Sequence, residues 1–174
     1  MNKRAIELSI NFLVIVIISL VMLSTGILLI KRYFGTAEEI KAQLDEQTVA
    51  HIEELLEEGD VVAMPLKRKT IGSGETGIFG LGVLNINEQP ETFTVEIALS
   101  QLVKKDKTTA APAQLEYDPT DWLLYEKSFT LDYKESRKIP IRVAVPGGVF
   151  SGTYIYNIEV LPYERITKMY VIVP

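Results

Sequence analysis

Hydrophobic and polar positions follow three successive patterns along the chain. From Leu8 to Ile30 there is no charged residue for 23 positions. A helix of that length spans roughly 34 Å at about 1.5 Å per residue, enough for a bilayer, and predicts a transmembrane helix over 6–34. The next stretch, "TAEEIKAQLDEQTVAHIEELLEEGD", holds good helix formers and no proline. Its apolar residues Ile40, Leu44, Val49, Ile52, Leu55 and Leu56 recur at helical spacing, which predicts an amphipathic helix over 35–60 that stops at Gly59. Only "YFGT" separates the two stretches, so a single rod from about Ile6 to Glu58 is expected, on the order of 80 Å long.

From Val61 onward the period falls to two. In "ETFTVEIAL", Phe93, Val95, Ile97 and Leu99 alternate with polar residues. In "KIPIRVAV", Ile139, Ile141, Val143 and Val145 alternate with Pro140, Arg142 and Ala144, and in "TYIYNIEV", Tyr154, Tyr156, Ile158 and Val160 alternate with Ile155, Asn157 and Glu159. One apolar face at period two marks half-buried antiparallel strands, here about seven: 61–70, 76–87, 91–102, 122–131, 137–145, 152–161 and 166–173. "GSGE", "NEQP" and "PGGVFSG" supply turns, and "KKDKTTAAPAQ" reads as an exposed loop. The expected fold class is α+β: a long N-terminal transmembrane and amphipathic helix, then an antiparallel Ig-like β-sandwich over 61–174.

The stretch "DPTDWLLYEKSFTLDYKESRKIPIRVAVPGGVFSGTYIYNIEV" resembles the Ig-like modules of bacterial and archaeal surface proteins, which are also found appended to glycosidases. Trp122 opens a strand, Leu131 precedes a charged turn, Val145-Pro146 closes a strand, and Gly152 with Tyr154 starts the next. The resemblance implies a structural role for Trp122, Pro146, Gly152 and Tyr154. Tyr154 stands where a corner tyrosine would bond back across the sandwich.

Charge is segregated. Residues 36–60 carry nine acids against Lys41 alone, a net of −8, while 61–174 carry thirteen acidic and thirteen basic side chains. No basic surface suits nucleic acid. The absence of cysteine removes disulfides and thiolate chemistry. "GSGETG" at 72–77 matches G-x-G-x-x-G, but a strand follows it rather than a helix N-terminus, so a hairpin turn is expected instead of a nucleotide site. Glu53, Glu54, Glu57 and Glu58 read as a solvated helix face rather than a cation site. His51 is the only histidine and reads as a surface or stripe residue on that helix. With no partner set for a triad, no enzyme, cofactor or metal is expected.

The N-terminus leaves two readings open. Glu7 and Asn11, four apart, share a helix face and suit the headgroup level of a plain anchor. Alternatively, Lys3-Arg4-Ala5 ahead of a long apolar helix resembles the class III leader of archaeal type IV prepilins and archaellins. That resemblance implies a leader at 1–5, cut by a prepilin peptidase-like protease between Ala5 and Ile6. It also implies assembly into a homo-oligomeric filament through a helix face of Glu7, Asn11, Ser19 and Gly26. The −8 of residues 36–60 would repel in a tight bundle unless it faces outward. The expected function is therefore a subunit of an extracellular pilus-like filament. The alternative is an uncleaved single-pass anchor whose Ig-like domain binds a surface-layer or archaellum-stator-type partner. Lys3 and Arg4 against Lys31, Arg32 and Lys41 nearly tie in setting orientation. Both readings put the β domain outside the membrane and the N-terminus in the cytoplasm.

Overall fold

The computed structural model describes residues 12–25 and 44–174. The chain divides into two compact units, Met1–Thr36 and Ala37–Pro174. In the first, residues 12–25 are helical and are called α1. Ser24 and Thr25 turn their hydroxyls back onto the Leu20 and Val21 carbonyls at 2.7 and 2.8 Å, which occupies both inside the helix. Among the described residues no helix is long and apolar enough to cross a membrane. This overturns the expected transmembrane helix and the membrane-anchored, outward-facing localisation built on it; its ends, 6–11 and 26–34, lie outside the described residues.

The expected rod is also corrected. Asp45 has an extended backbone (φ −65°, ψ 150°), and its carboxylate accepts the Thr48 N–H at 2.7 Å. An aspartate cap of this kind satisfies an orphan amide of a first turn, so a new helix starts here. α2 runs Glu46–Glu57, twelve residues. Among the described residues the chain is mostly β with two short helices, and the resemblance to pilins and archaellins, which needs a long N-terminal helix, falls with that correction.

Ten strands follow: β1 Val62–Ala63, β2 Arg68–Thr70, β3 Thr76–Leu84, β4 Glu91–Lys104, β5 Thr109–Ala110, β6 Leu123–Leu124, β7 Ser128–Leu131, β8 Ser136–Ala144, β9 Gly152–Leu161 and β10 Arg165–Val173. One sheet has the order β1-β3-β8-β6, and the other has β2-β10-β9-β4-β5 with β7 also paired to β4. The alternating residues meet between the sheets: Phe79, Leu81 and Val83 with Ile139, Ile141 and Val143 from one side, Phe93, Val95, Tyr156, Ile158 and Val171 from the other, all essentially inaccessible. Full burial of such side chains contributes about 1.5–3 kcal/mol each and drives the two sheets together.

Two expected strands split between sheets. In 61–70, β1 pairs antiparallel with β3, whereas β2 pairs parallel with β10. Pro65 cannot donate to a ladder and Met64 dives into the core, so the chain crosses over at that point. In 122–131, β6 joins β8 and β7 joins β4. The β2–β10 pair also makes the sandwich less than fully antiparallel. In β4 the register slips between Leu99 and Gln101. The extra residue shifts the inward positions from odd to even numbers, so Leu99 and Leu102 both face the core.

α2 packs on the outer face of the first sheet, where Ile52 and Leu56 are buried with Ala63 against Leu84. β3 makes room with glycine. A Cβ at Gly80 would sit 2.8 Å from the Thr48 methyl, and one at Gly82 would overlap Ile52.

Candidate functional site

Six residues singled out in the sequence (Lys3, Arg4, Ala5, Ile6, Glu7 and Asn11) lie outside the described residues, as does Gly26. Ser19 is exposed on α1. Of the other four, Trp122 and Tyr154 come together, while Gly152 and Pro146 serve the backbone nearby and elsewhere. Trp122 closes a 3-10 turn, Pro119–Trp122, and meets Tyr154 edge-on with ring centroids 4.8 Å apart. The Tyr154 hydroxyl donates to the Phe150 carbonyl at 2.9 Å and shares a 2.7 Å bond with the Tyr117 hydroxyl. Tyr154 thus ties its own entry loop rather than reaching across the sandwich. Burial, reinforced by Tyr117, pushes its phenol far above the ordinary value, so it stays a neutral donor. At Gly152 a Cβ would lie 2.5 Å from the Val103 carbonyl, which excludes other residues there. Pro146 is exposed, and its carbonyl accepts the Ser73 hydroxyl at 3.1 Å.

The "GSGETG" stretch is a turn, with the Gly72 N–H donating to the Glu75 carboxylate at 2.9 Å. It connects β2 of one sheet to β3 of the other, so it is not a hairpin within one sheet. His51 is exposed on α2, and among the described residues no three His, Cys, Asp or Glu side chains converge as a metal site.

The more informative geometry lies along β3, where sequence reasoning placed nothing. Two bonds just beyond the β3–β8 ladder fix its phase: Asn85 N–H to the Glu135 carbonyl and Val145 N–H to the Glu75 carbonyl, both 2.9 Å. With Thr76 opposite Ala144 and Leu84 opposite Ser136, odd-numbered β3 residues turn their peptide groups toward β8. Even-numbered residues turn theirs away. On that far side β1 engages only the end of the strand, at Gly82 and Val83, with the Leu84 N–H donating to Val61 at 3.0 Å. Thr76, Ile78 and Gly80 therefore face a groove in which no strand pairs with them among the described residues. The Ile78 carbonyl accepts the Lys69 ammonium at 3.3 Å.

The groove holds about 180 Å³ and is walled by Leu44, Asp45 and Thr48 at the start of α2 and by Leu66 and Lys69 opposite. Leu66 is 44% exposed. Asp45 is held below the usual carboxylate range by the Thr48 amide and hydroxyl, with Lys69 adding a smaller pull. The groove thus combines peptide groups that no strand pairs with among the described residues, one of them already bonded to Lys69, with two apolar walls and one charge of each sign. Along the corresponding edge of β8, β6 covers Arg142 and Val143, and the next outward-facing residue, Pro140, has no N–H to offer. A sequence signal did exist in the alternating Gly80 and Gly82, which mark a face approached by another element.

No protein-family model matches the chain, and no curated protein does. Solved structures to which the chain shows similarity include the ASH/PapD-like domain 7 of human CEP192, at 15% identity over 65% of this chain and 83% of that chain, TM-score 0.42. The Pseudomonas aeruginosa CupB2 chaperone is 10% identical over 64% of this chain and 54% of that one, TM-score 0.37. Domains 4 and 5 of the S-layer protein SbsC give 13% over 66% and 51%, TM-score 0.35. All three scores lie below 0.5, and nothing about what this chain binds follows from them.

Proposed function

We propose that this chain is a non-catalytic binding domain that takes up an extended segment of a partner protein along the open edge of β3. The observation that carries the reading is the outward direction of the Thr76, Ile78 and Gly80 peptide groups into a groove. Edge addition of a strand satisfies such groups, while neighbouring walls select side chains. Leu44 and Leu66 favour an apolar side chain in the segment, and Lys69 and Asp45 fix its polarity. This keeps the binding-module reading of the sequence and does not carry the filament forward.

A displayed library of extended peptides, selected on the full chain, tests the proposal. Selected peptides are expected to slow hydrogen exchange at the Thr76, Ile78 and Gly80 amides. Ile78→Pro removes one outward N–H without touching the β8 ladder, so it is expected to abolish that binding in a folded protein. Peptides that protect other amides, or that bind Ile78→Pro equally well, would sink the idea.

A further inference from the structure

A second surface opens at the other end of α2, independent of the β3 edge. It is a shelf of about 480 Å³ floored by Leu56, Leu84 and Ile86 and rimmed by Glu53, Glu57 and Lys134. Ile86 is 55% exposed, yet the chain around it is held in place. The Asn85 side chain, fully buried, donates to the Gln89 and Leu131 carbonyls at 3.0 Å each and accepts the Asn87 N–H at 2.9 Å. On the other side the Tyr163 hydroxyl accepts the Ile86 N–H at 3.1 Å and donates to the Leu84 carbonyl at 2.8 Å. Five hydrogen bonds thus fix a short segment whose outcome is a large apolar side chain presented to water. Such presentation costs free energy in the isolated molecule and lowers the ordering cost of a contact made there.

Charge says what the contact carries. Between Leu44 and Leu66 there are seven carboxylates (Asp45, Glu46, Glu53, Glu54, Glu57, Glu58 and Asp60) and no lysine or arginine. Glu53 is paired with Lys138, while Glu57 faces the shelf with no ion-pair partner among the described residues. On the opposite rim Lys134 lies over the Tyr133 ring, 5.1 Å from its centroid. We infer that the shelf receives a partner-protein segment with a bulky apolar residue on Ile86 and a lysine or arginine beside it, facing Glu57. Complementary charge of this kind fixes orientation and excludes acidic competitors.

The test uses the full chain and two labelled dodecapeptides that share a central phenylalanine, one flanked by arginines and one by glutamates, followed by fluorescence anisotropy. The arginine peptide is expected to bind at least about tenfold more tightly than the glutamate one. Glu57→Lys and Ile86→Asp are each expected to weaken it about tenfold, because each removes one half of the recognition. Glu159→Lys, the same change of net charge on the outer face of the other sheet, is expected to leave it within about twofold. Ile78→Pro is expected to have no effect here, which separates this shelf from the β3 edge. Equal binding of both peptides, no binding of either, or equal weakening by Glu159→Lys and Glu57→Lys overturns the inference. So does concentration-dependent self-association abolished by Ile86→Asp, which would make the occupant a second copy of this chain.

Discussion

Ile52 of α2 rests directly on Gly82 of β3, where the strand has no side chain to oppose it. The helix is therefore seated by shape as well as by hydrophobicity. A methyl group at residue 82 has no space unless α2 moves. Gly82→Ala is expected to cost about 1–3 kcal/mol through overpacking, and Ile52→Ala about 2–4 kcal/mol through the void it leaves. Urea unfolding of each variant checks both figures. Equal stability of Gly82→Ala and the parent would show that the helix is not seated there.

Asn85 is buried with its amide and carbonyl oxygen both engaged. Asn85→Leu keeps the bulk but orphans the Leu131 and Gln89 carbonyls. The expected loss is about 1–3 kcal/mol, with faster hydrogen exchange spreading through 84–89. A loss of stability without that local loosening would mean Asn85 does not hold Ile86 in place.

Tyr154→Phe removes the bonds to Phe150 and Tyr117 while leaving the contact with Trp122. The expected cost is about 1–2 kcal/mol. Because Tyr117 shares one of those bonds, the double variant with Tyr117→Phe should cost less than the two single changes added together. Strict additivity, measured by thermal unfolding, would refute the link.

Three carboxylates that accept nearby threonine amides, Asp45 and Asp118 at helix starts and Asp106 in a turn, carry an acid dependence. Asp45 is lowered chiefly by the Thr48 amide, Asp106 by the Thr108 hydroxyl and amide, and Asp118 by those of Thr120. A carboxylate whose folded pKa is depressed stabilises the fold above its unfolded value, and the effect fades as pH falls through the lower folded one. The Thr48, Thr108 and Thr120 amide resonances should therefore titrate below about pH 4, the usual carboxylate range. Midpoints at or above that range would contradict these bonds.

The parts legible in the sequence were those where one periodicity decides the outcome. Phe93, Val95 and Ile97, or Ile139, Ile141 and Val143, point inward because a pleat sends alternate side chains to one side. The rod is not legible because a continuous helical pattern says nothing about a competing cap such as Asp45. β1 and β6 were not separable from their neighbours, since a two-residue strand is chosen by whichever sheet edge lies near it. The β3 groove was illegible for the same reason. Its openness depends on β1 stopping at Ala63, a fact about pairing length rather than about Thr76, Ile78 or Gly80 themselves.

The parallel pairing of β2 with β10 has a mechanical meaning. β2 is entered from the N-terminal side of the sandwich and β10 leads out to Pro174, with Arg68, Lys69 and Thr70 aligned beside Tyr170, Val171 and Ile172. Tension through the two ends pulls these strands past each other along their length. The Tyr170 N–H bond to Lys67 and the Ile71 N–H bond to Ile172 are then loaded together in shear instead of opening one after another like a zip. Stretched between two attachment points, the domain would shed α2 and β1 first and then yield at this pair abruptly, visible as the principal force peak in single-molecule pulling.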